Sequence, residues 1–124
     1  MAGLAELTAY ERARIFLDMG DPARAARLLE PVAAAEPRHV AVRLLLARAY
    51  FHSAQLSRAE AEFRAITELD PVEDYAWFAL GRTLQRQNRP AEALAPFRVA
   101  AAMRPLPDYL EALARAESSQ RRAG

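Results

Sequence analysis

Apolar residues along the chain fall at helical steps, and the steps recur at a fixed interval. In the stretch 39–53, Leu46, Ala47 and Tyr50 share one helical face; in 56–69, Ala59, Phe63 and Ile66 share another. The break Ser53-Ala54-Gln55 lies between them, which predicts two helices joined by a short turn. Three windows, 6–39, 40–73 and 74–107, repeat this pair with a period of 34 residues. Small residues recur at Ala13, Ala47 and Gly81, and large ones three positions later at Phe16, Tyr50 and Leu84. A second small series, Ala25, Ala59 and Ala93, is followed four positions on by Leu29, Phe63 and Phe97. Val32, Ile66 and Ala100 come next, and each window closes on a proline: Pro37, Pro71 and Pro105.

The breaks carry helix punctuation. In Gly20-Asp21-Pro22 the glycine ends one helix in a left-handed conformation, the aspartate caps the next and the proline suits its first turn. Asn88-Arg89-Pro90 does similar work in the third window. Asp70-Pro71-Val72-Glu73 reads as a cap, with proline at the first helical position and the glutamate completing a capping box. Asp108 is expected to cap a closing helix over 108–119, with Tyr109, Leu110, Leu113 and Ala114 on its apolar side and Glu111, Arg115 and Glu117 on its wet side. The polar tail 120–124 is expected to fray.

Alternating small and large columns have a packing reason. A small residue lets the neighbouring helix approach, and the large one fills the space beside it. A single helix pair cannot bury its apolar face, whereas stacked pairs bury a continuous core. The expected fold is therefore all-α, one domain over 1–124, with three helix-turn-helix repeats and a capping helix, about seven helices in total.

These columns resemble the tetratricopeptide repeat family. Trp77, Leu80, Gly81, Leu84, Ala93, Phe97, Ala100 and Pro105 stand where that motif has Trp-x2-Leu-Gly-x2-Tyr and then Ala, Phe, Ala and Pro. The second window matches through Leu46, Ala47, Tyr50, Ala59, Phe63 and Pro71. The first keeps Ala13, Phe16, Ala25 and Pro37 but has Ala9 and Arg12 where bulky apolar residues are usual. The resemblance, over residues 6–107, implies a right-handed α-solenoid that binds other proteins. It also places the second helices on the outer side, where Pro31 and Pro96 are expected to kink them at a solvated face.

One stripe on the first helices is left over by the core columns. It holds Leu7, Tyr10, Arg14, Leu17 and Asp18, then Ala41, Leu44, Arg48, Phe51 and His52, then Tyr75, Phe78, Arg82, Gln85 and Arg86. The family resemblance implies that this stripe lines the concave groove. Arg14, Arg48 and Arg82 repeat at the 34-residue period beside the apolar row Tyr10, Leu44 and Phe78. Guanidinium forks grip carboxylates at two points, and aromatic and arginine side chains dominate binding hot spots. The combination suits a peptide or partner helix with acidic and apolar residues. The ladder also admits a blander reading, arginines shared by repeat ancestry and paired with Glu11 or Asp18. A Lys/Asn/Asn/Lys/Arg clamp, used by some family members for a chaperone tail, would fall on Tyr10, Arg14, Leu45, Tyr75 and Ala79. Only Arg14 there suits an anion, so a receptor of that type is not expected.

Composition narrows the remaining choices. Basic and acidic residues nearly cancel, 17 against 16, so the net charge of +1 exerts no general pull on nucleic acid or an anionic membrane. All the basic residues are arginine, a bias shared with the abundant alanine and suggestive of a GC-rich bacterial genome. Single-stranded nucleic acid remains an alternative ligand for an Arg/aromatic face, disfavoured by the charge balance and by Asp18 on the stripe. Cysteine is absent, which removes disulfides and thiol chemistry and fits the cytoplasm. No stretch reaches the roughly 18 apolar residues of a membrane span, and Met1–Glu6 lacks the pattern of a secretion signal. His39 and His52 are isolated, and no phosphate loop or metal-ligand spacing occurs. No catalysis, metal or cofactor is expected. Another protein or peptide is the expected partner, with a homo-oligomer, through the groove or an apolar patch of Phe51, Tyr75 and Phe78, as the alternative.

Overall fold

In a computed structural model the chain is described over residues 7–124. Met1–Glu6, read above for a secretion signal and for the opening of the first window, lie outside the described residues. Seven helices follow in order: α1 Ala9–Asp18, α2 Pro22–Ala35, α3 Val40–His52, α4 Leu56–Leu69, α5 Asp74–Arg86, α6 Pro90–Met103 and α7 Pro107–Ala123. No strand occurs among the described residues. The chain forms two compact units, one ending at Glu62 and one beginning at Phe63. The boundary falls inside α4.

The 34-residue period is visible in the backbone. Gly20, Ala54 and Asn88 follow α1, α3 and α5, and each has a positive φ, +82°, +61° and +61°. In each turn two amides fold back on the helix. Asp21, Gln55 and Arg89 donate to the carbonyls of Phe16, Tyr50 and Leu84 at 2.8–3.0 Å. Gly20, Ala54 and Asn88 donate to Leu17, Phe51 and Gln85 at 2.9–3.2 Å. This double bond pattern is the Schellman stop, which needs a left-handed residue just past the helix. The large column thus ends its helix in every window, and in the second and third windows, at Tyr50 and Leu84, it also fills the core. A later column lies one turn before the end of each second helix. The carbonyls of Val32, Ile66 and Ala100 accept from Glu36, Asp70 and Arg104.

Helix starts follow the expectations in part. Asp21 caps α2 through its side chain, which accepts from the Arg24 amide at 3.2 Å, with Pro22 in the first turn. Thr8 and Glu11 form a capping box on α1, a signal the repeat columns hid. His39, expected as an isolated surface histidine, caps α3 through Nδ1, which accepts from the Val42 amide at 3.2 Å. Two expectations are corrected. Helix α5 begins at Asp74 with Glu73 as its cap residue and no side-chain cap bond, so Asp70-Pro71-Val72-Glu73 forms a turn and no capping box. The Glu73 amide instead donates to the Asp70 carbonyl at 3.0 Å. Asp108 is not the cap of α7; Leu106 holds that place and Asp108 sits in the first turn after Pro107.

Two further corrections concern exposure and length. Helix α7 runs to Ala123, through the tail expected to fray; it meets no glycine or proline before Gly124, and Arg121 and Arg122 favour the negative end of its dipole. Pro31 is exposed as expected, but Pro96 is buried, so its ring belongs to the packing of the second unit.

Most column residues lie in the core, though Phe16 and Val32 are only half-buried. In the first unit Ala13, Ala25, Leu29, Ala47 and Ala59 are fully buried. In the second, Phe63, Ile66, Ala93, Phe97 and Ala100 are at most 1% exposed. The approach of α5 to α6 is set at Gly81, where a Cβ atom would stand 2.5 Å from Phe97 Cε1. At the end of the unit, Ala100, Ala101 and Tyr109 form a cluster flanked by Trp77, Phe78, Leu106 and Leu113. Adjacent residues on one helix cannot point the same way, yet both Trp77 and Phe78 border this cluster. Trp77 also donates its indole N–H to the Pro71 carbonyl at 2.9 Å.

Candidate functional site

Apart from Leu7, which precedes α1, the stripe residues of the first unit lie on α1 and α3, which touch each other. On α1, Tyr10 is half-buried and Arg14 exposed; on α3, Leu44 and Arg48 are half-buried and His52 exposed. Phe51 is only 9% exposed, so it braces this face and offers little contact area, contrary to its place in the expected apolar patch. Its ring meets His52 edge-on, with centroids 5.4 Å apart. Glu11 is engaged by Thr8, accepting from its hydroxyl at 3.0 Å, and neither it nor Asp18 pairs with Arg14. Among the described residues Arg14 and Arg48 take part in no ion pair.

Elsewhere in this unit several charges are engaged in structural contacts. Arg43 pairs with Glu62 at 2.9 Å. Tyr50 donates its hydroxyl to Glu30 at 2.6 Å, and burial, then the Glu30 bond and charge, push the phenol well above its ordinary pKa. Arg58 stands over the Tyr50 ring at 5.9 Å.

In the second unit the stripe residues lie on α5. Tyr75 and Phe78 are half-buried, while Arg82 and Arg86 are exposed. Phe78 is held by its neighbours, with ring centroids 4.8 Å from Tyr109 and 5.9 Å from Phe97. Tyr75 lies 6.4 Å from it on one side, and the Arg82 guanidinium stands 5.8 Å from its centroid. A cleft of about 290 Å³ opens here, with Phe78, Arg82 and Gln85 on α5 facing Asp108, Glu111, Ala112 and Arg115 on α7. Tyr109 holds the two helices together by donating its hydroxyl to Asp74 at 2.7 Å. Burial, then the bond to and charge of that carboxylate, raise its pKa above the ordinary phenol value. Beside it, burial and the charges of Asp74 and Asp70 raise the Glu73 pKa, which marks the α4–α5 turn as electrostatically crowded.

The α7 wall was absent from the sequence-derived stripe. In the sequence Asp108 reads as a cap and Glu111 and Arg115 as the wet face of a closing helix. Helix α7 occupies the place of a first helix in a fourth window, but the stripe continued at the 34-residue period falls on Tyr109, Ala112 and Ala116, of which only Ala112 lines the cleft, so the period does not point to Asp108, Glu111 or Arg115. The positions of the chaperone-tail clamp behave as the residue types imply: Leu45 and Ala79 are 4% and 5% exposed and present no polar group.

Comparison with known proteins gives two overlapping matches to tetratricopeptide repeat family profiles, over residues 16–77 and 53–109. No curated protein matches the sequence. Among solved structures, MamA of MSR-1 is similar with a TM-score of 0.80 at 24% identity, covering 97% of this chain and 71% of that one. A second MamA structure has a TM-score of 0.85 at 15% identity, covering 90% of this chain and 66% of that one. The first TPR of Spaghetti (RPAP3), bound to the HSP90 peptide SRMEEVD, has a TM-score of 0.85 at 15% identity, with 96% and 99% covered. These likenesses carry the all-α fold of stacked helix-turn-helix repeats.

Proposed function

Since this chain belongs to the tetratricopeptide repeat family, we propose that it is a protein-interaction module whose first-helix stripe holds a peptide or partner helix with acidic and apolar residues. The observation that carries this reading is the state of Arg14 and Arg48, two guanidinium groups on one stripe with no ion-pair partner among the described residues. Surface arginines that merely solvate a helix tend to find a carboxylate three or four residues away. For Arg14 the carboxylates at that spacing are Glu11, held in the cap of α1, and Asp18, with which it forms no ion pair; Arg48 has none at that spacing. A charge-assisted hydrogen bond to a partner carboxylate is worth about 1.5–3 kcal/mol where water is partly excluded, and Tyr10 and Leu44 provide the apolar surface beside it.

The fold accommodates such a ligand, since SRMEEVD, held by the first TPR of Spaghetti, combines carboxylates with Met and Val. A chaperone tail itself is not the ligand proposed, because Leu45, Tyr75 and Ala79 replace the polar clamp residues. Among the described residues no helix is long and apolar enough to cross a membrane.

The test is an affinity capture from the source cell lysate with nuclease added. The wild type is compared with an Arg14→Ala, Arg48→Ala, Arg82→Ala variant whose helicity is checked by circular dichroism. The expected outcome is a protein retained by the wild type and lost by the folded variant. An identical set of retained proteins would remove the stripe from the binding surface.

A further inference from the structure

The three arginines of the ladder are not equivalent. Among the described residues Arg14 and Arg48, both in the first unit, take part in no ion pair, hydrogen bond or ring contact. Arg82 is engaged within the second unit. Its guanidinium stands 5.8 Å from the Phe78 centroid and has a further interaction. The Phe78 ring is in turn faced by Tyr75, Phe97 and Tyr109. The second unit thus satisfies its own part of the stripe, and the guanidinium groups left for a ligand are those of the first.

Around these two groups the first unit sets two parallel rows. Tyr10 and Leu44, both half-buried, stand one turn before Arg14 and Arg48, and the Tyr10 hydroxyl has no hydrogen-bond partner among the described residues. Asp18 stands one turn past Arg14, exposed and in no ion pair. It repels an anion on that side, so a carboxylate reaches Arg14 from the side of Tyr10. The rows are four residues apart on each helix, about 6 Å, and run across α1 and α3, whose Cα atoms come within 8 Å of each other. Packed helices stand about 8–10 Å apart, and the long arginine stems narrow that separation at their tips. An extended chain places alternate side chains on one side about 6.6–6.8 Å apart, and neighbouring strands need only about 4.8 Å of width. Such a chain fits between the rows and sends one set of side chains to each. A helix, about 10 Å or more across, would cover both rows at once.

We propose that Arg14 and Arg48 hold two side-chain carboxylates two residues apart on an extended segment of the partner. The residue between them is apolar and lies against Tyr10 and Leu44, and Arg82 takes no part in the grip. The inference rests on the stripe reading and narrows it from three arginines to two, and from any acidic segment to one spacing. Each guanidinium fork takes one carboxylate at two points, so the site needs no chain terminus.

The test uses the full chain and a phage-displayed library of random twelve-residue peptides that carry no free C-terminus. Selections are run on the wild type and on Arg14→Gln, Arg48→Gln and Arg82→Gln, each checked for helicity by circular dichroism. The wild type is expected to enrich an acidic, an apolar and an acidic residue in succession. Arg14→Gln and Arg48→Gln should each keep a single acid and lose the spacing, while Arg82→Gln should select as the wild type does. A peptide selected on the wild type and labelled for fluorescence anisotropy should bind Arg14→Gln and Arg48→Gln roughly tenfold more weakly, and Arg82→Gln as tightly as the wild type. Acids enriched at any other spacing, including the three, four or seven residues of a helical ligand, would overturn the inference and leave the stripe reading intact. A loss at Arg82→Gln equal to that at Arg14→Gln would do the same. A wild type that enriches no acidic peptide would overturn both.

Discussion

A left-handed residue ends the first helix of each repeat, and the three positions fill it differently. Gly20 adopts φ +82° with nothing within 4 Å of where a Cβ would stand, so its use is purely conformational. Asn88 is among the side chains that tolerate this region. Ala54, at φ +61°, carries a Cβ against the following carbonyl and gains nothing in exchange. A left-handed non-glycine residue costs roughly 1–2 kcal/mol, against which glycine loses some unfolded-state entropy. Ala54→Gly is therefore expected to stabilise the chain by about 0.5–1 kcal/mol, and Gly20→Ala to destabilise it by a similar amount. Urea unfolding of both variants checks this, and a less stable Ala54→Gly would refute it. Arg12 is a further local departure. It stands where an apolar residue is usual, and its Nε is buried without a hydrogen-bond partner among the described residues. Such a donor costs stability in proportion to its lost hydration.

Between elements, the decisive contact is the approach of α6 to α5. Gly81 is buried, and its missing side chain is the space that Phe97, itself fully buried, occupies. An added methyl would lie 2.5–2.9 Å from three atoms of the aromatic ring. A ring enclosed in a packed core cannot swing away without opening space elsewhere, so overpacking of this kind typically costs about 1–3 kcal/mol. Gly81→Ala is expected to lower stability within that range even though alanine is the better helix former by about 1 kcal/mol. Thermal unfolding that leaves the midpoint unchanged or raises it would show that the helices separate freely. Element boundaries also show where local signals lose. At Asp70-Pro71-Val72-Glu73 the residues of a capping box are in place, but the Glu73 amide is taken by Asp70 and the helix waits until Asp74.

For the whole molecule, charge balance bears on what it binds. Nucleic-acid affinity depends on neutralising backbone phosphates, and 17 arginines against 16 carboxylates leave almost no net field. Several arginines are committed to pairs, among them Arg43 with Glu62 and Arg89 with Glu92. A labelled single-stranded oligonucleotide at about physiological salt is expected to show no binding by fluorescence anisotropy at micromolar protein. Saturable binding that weakens steeply as salt is raised would favour the nucleic-acid reading of the Arg/aromatic stripe over the peptide one.

What the sequence determined by itself was the repeat. Period, helix count, the small and large columns and the Gly20-Asp21-Pro22 stop all follow from local propensity and from burial that recurs at a fixed interval, and such signals are additive along the chain. What only the tertiary structure decided was which polar groups are already in use. Tyr109 binds a carboxylate 35 residues away, Phe51 and Pro96 turn inward, and Asp108 is left facing a cleft. Periodicity places a side chain on a face but says nothing of its partners, because a hydrogen bond or ion pair depends on the distance between atoms that the chain brings together only when its helices pack.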